Sequence, residues 1–534
     1  MFTLDIEYNL CRLTKSLYIL FCLPLLYSEE LPIGLTDEEI LRIHEIPLMA
    51  RETDPPIGPI RNIAEYEKMQ GVLIRYPFGI PIDLIVEIAE DVKIFCLVSN
   101  NQQDAAQNAS INAGVDASNI DLILGETDSY WTRDYGPWWV VNGENKMSVV
   151  DFTYNRPRIN DNQAPLKISE HLNVPYYASD IIHAGGNYMT DGLGTSASSD
   201  LVFEENLNTN EQILDLMNSY YGIDNYHVIN DPNNTYIDHI DCWGKYLSPT
   251  KVLIRDVPES HPQFNQIEET ASYFMNTLNK WNEPWEVYRV WTPGNEPYTN
   301  SLIINNKVLV PLNGSSWDNA AIESYNNALP GYEILGFSGT WESTDALHCR
   351  TKGIPDLEML QIIHNPINNL TEPVAEGYKV TIEIEELSNT GILSDSMKVF
   401  FKKEGDVDWS FKRLEIDNLN EQQGIWSGYI PSIVDTSSIC YYIQAADSSG
   451  RIEKNPLGGW HVFSALPTDI CNDWLLGDLN SSGLIDVYDI LKVSDKVSNS
   501  ESLGLCTESV ADINNDGEIT VVDIILIVNM LFSQ

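Results

Sequence analysis

Short apolar stretches alternate with amphipathic stretches between residues 56 and 366. Five apolar runs have the length of buried strands, and the intervening segments 211–220 and 264–279 have apolar residues at helical spacing. Strands that alternate with helices are typical of α/β architecture, in which the helices pack against the sheets. We therefore predict an α/β domain over residues 56–366, with strands at 71–77, 93–99, 146–152, 251–257 and 307–312.

The pattern changes after Pro366. In residues 372–465 helical periodicity is almost absent, and apolar residues alternate with polar ones, as at 380–384 and 439–445. Alternating strands separated by turn clusters predict a small β-sandwich of immunoglobulin-like type. Any other small all-β module would give a similar pattern.

The last sixty residues contain a repeat. The segment 478–489 matches 512–523, and an apolar helical run follows each copy. Each copy has oxygen-bearing residues at positions 1, 3, 5, 9 and 12 and glycine at position 6, which is the spacing of a calcium-binding loop. The predicted Ca²⁺ ligands are Asp478, Asn480, Ser482, Asp486 and Asp489 in the first loop and Asp512, Asn514, Asp516, Thr520 and Asp523 in the second.

This tail resembles a type I dockerin across residues 474–534, and the resemblance implies a small all-α domain that binds a cohesin partner. We therefore predict two structural Ca²⁺ sites within residues 471–534 and a cohesin-bearing surface protein as a partner. Cys471 and Cys506 flank the first loop and are able to pair in an oxidising compartment. Two unpaired thiols are the alternative, because the chain's eight cysteines are too thinly spread to indicate a disulfide scaffold.

An apolar run at residues 17–27 follows two basic residues near the start of the chain. This arrangement predicts an export signal over residues 1–28, and the run is too short to span a bilayer. Residues 29–55 form a polar, proline-containing lead-in. No other stretch reaches the roughly 18 apolar residues of a membrane helix. We expect an extracytoplasmic protein, secreted or associated with the cell surface, without a membrane span.

The chain has 78 acidic and 31 basic residues, which give a formal net charge of -47. Such a surface repels nucleic acid, so we predict no nucleic-acid partner. It attracts cationic substrates such as arginine-rich peptides, although solubility and calcium-binding carboxylates explain the charge equally well. Hydrophobic residues make up 43% of the 534 residues, and a chain of this length is expected to fold into two to four domains.

Four segments rich in polar, glycine or aromatic residues follow predicted strands of the α/β domain, where such folds place their sites. Cys349, in the last of them, is a candidate nucleophile. A free thiol with a pKa near ~8.5 is mostly protonated at neutral pH, so it needs a base or a nearby cation. The segments are WTRDYGP (131–137), HAGGNYMTDG (183–192), YIDHID (236–241) and STDALHCRT (343–351).

Two imidazoles, His239 and His348, are candidates for that base. Asp134 and Asp241 are able to receive a planar guanidinium through paired hydrogen bonds. His239 and Asp241 lie two residues apart, which on an extended strand puts both side chains on one face. Each residue taken singly also fits a structural role, and we interpret His183 and His348 as structural. A papain-type hydrolase would leave both aspartates without a role.

The motifs WTRDYGP, GGNYM, HID and DALHCRT, in this order, resemble the guanidino-modifying superfamily. They are most similar to its branch of agmatine deiminases and Porphyromonas-type peptidylarginine deiminases. The segment YEKMQGVLIRYP at 66–77 is similar to that branch as well, so the resemblance covers about 56–366. It implies a five-bladed α/β propeller (the pentein fold), with the site on the pseudo-fivefold axis.

Carried over residue by residue, the resemblance implies that Asp134 and Asp241 bind the guanidinium. It makes His239 the general acid and base and Cys349 the nucleophile. Attack by the thiolate releases ammonia and leaves a thiouronium intermediate, which water then hydrolyses. This chemistry requires no cofactor. The aromatic positions that line the side-chain slot are matched by Trp131 and Tyr236.

Two arginines bear on the choice of substrate. Arg156 and Arg158 align with a pair that, in the Porphyromonas-type enzyme, holds the carboxylate of a C-terminal arginine. Agmatine has no carboxylate, so such a clamp favours a peptide substrate. The alternative is that both arginines are ordinary surface or salt-bridge residues. In GNEPYTNS (294–301), Asn295 is expected to contact the substrate backbone, with Asn300 as the alternative.

The sequence therefore predicts a secreted peptidylarginine deiminase that converts arginine in peptides, above all at their C terminus, to citrulline and ammonia. An agmatine deiminase that acts on small guanidino compounds is the first alternative. A surface-anchored binding protein with a vestigial catalytic domain is the alternative from another class. Amidino transfer is a further one, although no feature indicates an amine acceptor.

Overall fold

The computed structural model describes residues 30–234, 237, 239–374, 376–419, 423–433, 437–466, 474–499, 503 and 505–533. These residues form an α/β domain, a β-sandwich and a helical tail. The predicted signal at 1–28, the slot residue Tyr236 and the predicted disulfide partner Cys471 lie outside the described residues.

Five modules of one design build the α/β domain. In each module two antiparallel strands are followed by a helical segment and by a third strand that pairs in parallel with the second. This repetition confirms the predicted strand and helix alternation. The strands are β1 (Arg61–Asn62), β2 (Met69–Arg75), β3 (Lys93–Val98), β4 (Ile120–Leu124), β5 (Trp138–Val141), β6 (Met147–Tyr154), β7 (Tyr176–His183), β8 (Met189–Thr190), β9 (Thr195–Ser199), β10 (Asn225–Ile229), β11 (Gly244–Ser248), β12 (Lys251–Asp256), β13 (Glu286–Trp291), β14 (Leu302–Ile304), β15 (Lys307–Leu312), β16 (Glu333–Ser338) and β17 (Lys352–Pro355).

The helices of this domain connect the parallel strands. β6–β7 and β9–β10 are each joined by two helices and the other parallel pairs by one. A short helix, Asp37–Ile40, precedes the modules in the lead-in. The connecting helices are Ile82–Asp91, Gln103–Ala113, Ile159–Asn162, Ala164–Leu172, Leu201–Glu204, Asn210–Tyr221, Phe264–Asn276 and Asp318–Ala328.

Local sequence explains these helices. Asn210–Tyr221 begins after Thr209, whose side chain accepts the N–H of Gln212, while the side chain of Gln212 returns to the backbone of Thr209. This capping box satisfies two N–H groups that a helix start leaves unpaired. Ile213 and Met217, one turn apart, are both fully buried. The cap fixes the start of the helix, and the apolar face fixes its packing on the sheet.

The last strand closes the domain. β17 pairs antiparallel with β2, so that Lys352 lies opposite Leu73. The first module therefore takes its outer strand from the far end of the domain, and the five sheets form a ring. Such a closure holds the two ends of about 290 residues together and agrees with the predicted five-bladed architecture.

Two antiparallel sheets form the second domain and enclose a separate apolar core around Trp426. The predicted boundary at 366 is wrong, because Leu360–His364 pairs with Ile382–Glu386 and so belongs to the sandwich. The immunoglobulin-like class of this domain stays a prediction. Its strands are β18 (Leu360–His364), β19 (Tyr378–Glu386), β20 (Lys398–Lys403), β21 (Ser410–Arg413), β22 (Glu415–Leu419), β23 (Gln423–Ile430), β24 (Ser437–Ala446), β25 (Ile452–Asn455) and β26 (His461–Ala465).

The tail contains three helices, Val487–Asn499, Leu505–Ala511 and Val521–Ser533. Cys506 is disulfide-bonded, while its pairing with Cys471 stays a prediction. Among the residues that the structure describes, no helix has the length and apolar character needed to cross a membrane.

A buried arginine joins the first two domains. Arg61 of β1 donates from Nε to Glu385 of the sandwich at 2.7 Å and from Nη1 to Glu67 at 2.8 Å. The exposed fractions are 14% for the arginine side chain, 12% for Glu385 and 2% for Glu67. Arg61→Met would leave two carboxylates without their cation in a poorly hydrated interface.

We expect Arg61→Met to lower the free energy of unfolding by about 3 kcal/mol, measured by urea denaturation followed by tryptophan fluorescence. Lys68→Met is the control, because Lys68 reaches Glu453 across the same interface at 3.3 Å but is 32% exposed. A pair so exposed contributes less than about 1 kcal/mol. Equal effects of the two substitutions would contradict the role of the buried pair.

Candidate active site

One turn in each of the five modules contributes a residue to the candidate site. Asp134 precedes β5, Gly186 precedes β8, Asp241 precedes β11, Asn300 precedes β14 and Cys349 precedes β17. Because the modules form a closed ring, turns at equivalent positions meet at its centre. Residues separated by more than 200 positions along the chain thus share one site.

Gly186 marks the centre of this cluster. A Cβ atom added there would lie 2.5 Å from Asp134 Oδ1, 2.8 Å from His239 Nδ1 and 3.2 Å from Asp241 Oδ2. Cys349 Sγ lies 3.5 Å from Asp241 Oδ2. The structure therefore brings together all four residues to which the sequence assigns catalytic roles. Any side chain at Gly186 would clash with three of them.

The backbone around His239 differs from the sequence expectation. His239 and Asp241 do not lie on an extended strand, because a 3-10 helix spans Ile240–Cys242. The N–H of Gly186 donates to Asp134 Oδ1 at 3.1 Å. The tight turn after His239, rather than strand pleating, brings both side chains to this point.

Asp241 is held by a chain of charged groups. His348 Nδ1 lies 2.6 Å from Asp241 Oδ2, and His348 Nε2 lies 2.6 Å from Glu65 Oε2. Glu65 also pairs with Arg133 at 2.8 Å and with Lys245 at 2.9 Å. Burial acts to raise the pKa of Asp241, but the hydrogen bond and charge of His348 outweigh it, and the pKa lies below 3.8. Asp241 is therefore a fixed carboxylate.

Three other groups are neutral in the free site. Burial, followed by the nearby Asp241, raises the pKa of Asp134 well above its usual range. Burial lowers the pKa of His239 to about 3. Burial, with Asp241 and Asp345, raises the pKa of the Cys349 thiol well above 9.0. A cation at this point would favour both the carboxylate and the thiolate.

Several buried polar atoms of the cluster have no hydrogen-bond partner among the described residues. They are Asp134 Oδ2 and both ring nitrogens of His239, with Nδ1 3.5 Å from Asp134 Oδ1. Buried polar atoms are nearly always paired, so unpaired ones at the centre of a cluster indicate a ligand position. The N–H groups of a planar guanidinium are suitable donors for Asp134 and Asp241.

Asn300, rather than Asn295, belongs to this cluster. Its Nδ2 donates to Cys349 Sγ at 3.1 Å, and its Oδ1 accepts the N–H groups of Ala346 and His348, each at 2.9 Å. Asn300 therefore shapes the turn that presents the thiol. Asn295 is exposed and accepts from Arg255 Nη2 at 2.7 Å, and its predicted contact with the substrate backbone stays a prediction.

Three predicted substrate-binding residues contact the lead-in. Trp131 Nε1 donates to the carbonyl of Leu31 at 2.9 Å, and Arg156 Nε donates to that of Ile33 at 2.9 Å. Arg158 is bound to the Glu39 carboxylate. These contacts leave the predicted roles of Trp131, Arg156 and Arg158 untested. The fourth predicted residue, Tyr236, lies outside the described range.

The two predicted calcium loops have a repeated backbone geometry. Asp478 accepts the N–H groups of the fifth and sixth loop residues, and Asp512 does the same in the second loop. Asp489 and Asp523 accept N–H groups near the starts of their own loops. Among the described residues no group of three or more His, Cys, Asp or Glu side chains is gathered as a metal cluster. Calcium binding by these loops stays a prediction.

Comparison with known proteins identifies the family of the α/β domain. The sequence profile of the Porphyromonas-type peptidyl-arginine deiminase family matches residues 80–355, more than half of the chain. The chain belongs to this family. Membership of this deiminase family implies hydrolysis of a C–N bond, and the catalysis of the family is independent of a cofactor.

Relatives of this deiminase-family chain share the same domain. A Mycoplasma mycoides protein provisionally named an agmatine deiminase is 26% identical over 292 residues, 46% of this chain and 78% of that protein. A Legionella pneumophila protein with the same provisional name is 23% identical over 296 residues, 50% of this chain and 83% of its own. The solved agmatine deiminase of Enterococcus faecalis has a TM-score of 0.50 and 18% identity, covering 57% of this chain and 99% of that one. At this identity the structural likeness shows the fold alone.

The sequence left three contributors to this deiminase site unassigned. No pattern in the sequence assigns a role in the site to Gly186 or to Glu65. Asp345 lies 3.8 Å from Cys349 Sγ, and burial, with Asp241, raises its pKa to about 8. Asp345 and Gly186 lie inside the segments 343–351 and 183–192. The sequence therefore places both residues in candidate site segments but does not give their contacts.

We predict that a cationic thiol reagent labels Cys349 faster than a neutral one. With neutral chloroacetamide the rate should rise with pH to beyond 9.0, because the raised pKa keeps the thiol protonated below it. Cationic 2-chloroacetamidine should react at least about tenfold faster at pH 7, since one pKa unit corresponds to a factor of ten in thiolate.

Peptide-level mass spectrometry after timed labelling measures both rates. Asp134→Asn should remove most of the preference for the cation, whereas Asp180→Asn, an exposed position on β7, should keep it. A preference that persists in Asp134→Asn would show that the aspartates do not control the thiol.

Proposed function

We propose that this chain deiminates arginine residues in peptides, preferring a C-terminal arginine, and releases ammonia and citrulline. The observation that carries the proposal is the convergence of Asp134, His239, Asp241 and Cys349 around Gly186. Asp134 and Asp241 would bind the two sides of the guanidinium and align its central carbon with the thiol.

In the first half-reaction the Cys349 thiolate forms a C–S bond to the guanidinium carbon. His239, which is neutral in the free site, takes up the thiol proton and delivers it to the departing nitrogen, and ammonia leaves as the C–N bond breaks. In the second half-reaction His239 takes a proton from water, and the resulting hydroxide attacks the thiouronium carbon. The C–S bond breaks, the departing Cys349 thiolate takes up the hydroxyl proton of the product, and the ureido product is released. His239 then passes its proton to solvent, where ammonia takes it up.

The two arginines near the site support a substrate with a carboxylate. The Arg158 side chain holds the Glu39 carboxylate at 2.7 and 3.1 Å, which demonstrates that this guanidinium is able to bind one. The charge of Arg156 acts on both Asp134 and His239, so it lies near the catalytic cluster. A free C-terminal carboxylate beside these groups would fix the substrate's main chain.

Agmatine deiminase is the second candidate. The two arginines of the proposed clamp, Arg156 and Arg158, already have hydrogen-bond acceptors in the lead-in. A substrate without a carboxylate would not need these two arginines. The provisional names of two relatives favour the same activity.

A citrulline and ureido assay decides between the two. We expect kcat/KM for a peptide that ends in free arginine to exceed that of its C-terminal amide by about 100-fold, because a charge-assisted bidentate pair contributes roughly 3 kcal/mol. Agmatine should be a poor substrate. Cys349→Ala should abolish turnover, whereas Cys440→Ala, a buried free cysteine of the sandwich, should not. Faster turnover of agmatine than of any peptide would favour the second candidate.

We also propose that the tail binds two Ca²⁺ ions and attaches the protein to a cohesin-bearing surface protein after export. The repeated loops, each with a glycine at position 6 in the left-handed region (Gly483 φ 81°, Gly517 φ 84°), support calcium binding. Secretion rests on the apolar segment at 17–27 and on the dockerin-like sequence of the tail.

Each bound Ca²⁺ should stabilise the tail by about 2.7 kcal/mol at a hundredfold excess over its dissociation constant, so two independent sites give about 5.4 kcal/mol. Calorimetry with Ca²⁺ and with a chelator measures this shift. Asp512→Asn should reduce it, whereas Glu518→Gln, the same charge change at loop position 7 where the backbone is the ligand, should not. A tail that melts identically with and without Ca²⁺ would refute the ligand assignment.

A further inference from the structure

The lead-in runs across three predicted substrate-binding residues, Trp131, Arg156 and Arg158, and its backbone bends at Ile33 and Gly34. Three side-chain groups donate to four successive carbonyls of this segment. Trp131 Nε1 binds the carbonyl of Leu31, and Arg156 Nε binds that of Ile33. Arg158 Nη2 donates to the carbonyls of Pro32 and Gly34 at 2.7 and 3.0 Å. These donors form a groove that binds the main chain of the segment.

The side chain of Glu39 provides a carboxylate shortly after these four carbonyls. The helix Asp37–Ile40 begins at Thr36, and its capping box orients Glu39. Both oxygens of Glu39 accept from Arg158, at 2.7 and 3.1 Å. Glu39 is 5% exposed, whereas the adjacent Glu38 is exposed. One acidic residue of the DEE sequence is thus inserted into the groove and paired with a buried guanidinium.

The segment also packs into the core of the domain that contains the site. Ile33 is 0% exposed and belongs to the core cluster that includes Trp131 and Cys349. With the segment in place the exposed fractions are 0% for Cys349 and 1% for His239. A peptide arginine has no route to a nucleophile with no exposed surface unless some covering element moves.

The part of the lead-in that follows is held to the domain at separate points. Leu41 is 76% exposed and Leu48 is 81% exposed, whereas Ile46 between them is 5% exposed. Further along, Arg51 Nη1 donates to Asp151 and to the carbonyl of Asn162, and the N–H of Thr53 donates to the carbonyl of Ala178 at 3.0 Å. These contacts keep the chain attached to the domain when residues 30–39 leave the groove.

We propose that residues 30–39 are an intramolecular occupant of a peptide-binding groove, in which Glu39 takes the place of a substrate carboxylate on Arg158. The inference rests on the proposed function for the identity of the competing ligand, an extended peptide with a carboxylate. The groove is made by Trp131, Arg156 and Arg158, and a substrate peptide gains access to Cys349 when it displaces this segment.

Glu39→Gln tests the proposal in the full-length protein. Loss of the charge weakens the bond to Arg158, and we expect the rate of Cys349 labelling by iodoacetamide to rise about tenfold. The matched control is Glu38→Gln, which removes the same charge from an exposed neighbour and should label at the wild-type rate. Equal rates in wild type and Glu39→Gln would overturn the proposal.

A second experiment does not depend on the folding of a variant. A protease recognition sequence inserted between Asp54 and Pro55, both exposed, allows the folded protein to be cut. Labelling of Cys349 should then rise on dilution and fall again when a synthetic peptide of residues 30–41 is added. The same peptide with Glu39→Gln should protect about tenfold less well. A rate of Cys349 labelling that changes with neither the cut nor the added peptide would contradict the occupancy of the groove by residues 30–39.

Labelling is independent of any deiminase substrate, so the two proposals fail separately. Faster labelling of Glu39→Gln without citrulline from any arginine peptide would retain the occupancy and reject the proposed activity. Citrulline formation with labelling rates that are identical in wild type, Glu39→Gln and cut protein would reject the occupancy and retain the activity.

Discussion

Asp134 and Asp241 lie within reach of one buried point, and two carboxylates at such a separation repel each other when both are charged. The site resolves this repulsion unequally. Asp241 stays charged because His348 hydrogen-bonds to it, and His348 is in turn held by Glu65, which pairs with Arg133 and Lys245. Asp134, without such a network, has a raised pKa. A bound planar cation would complete the balance, and this requirement selects a guanidinium over a neutral substrate.

The ring of five modules makes this arrangement reachable. In each module the turn that precedes the first antiparallel strand lies at an equivalent place. Each of these turns therefore contributes one residue to the centre. Closure by β17 against β2 brings Cys349 beside residues from the middle of the domain. The ring also explains why the central glycine is required, since five turns that meet at one axis leave no space for an additional side chain.

The sandwich and the lead-in both contact the α/β domain, at different places. Arg61 links the sandwich to the base of the second module through buried charges. The lead-in contacts Arg156 and Arg158, two predicted substrate-binding residues, through carbonyls and one carboxylate. A clamp inferred for substrate is therefore found holding part of its own chain, which is the kind of contact that an alignment of motifs does not reveal.

Periodicity and motif order in the sequence were sufficient for the strands, the helices, the all-β region, the repeated loops and the four catalytic residue types, because these depend on local side-chain chemistry. The sequence did not decide between Asn295 and Asn300, since both lie in one polar segment and the choice depends on which turn faces the thiol. It also missed the pairing of Leu360–His364 with the sandwich, because an apolar strand fits either neighbour. Contacts between segments that are distant along the chain decide which strands pair, which charges surround each ionisable group and which segment lies on Arg156 and Arg158. Only the tertiary structure determined these three features.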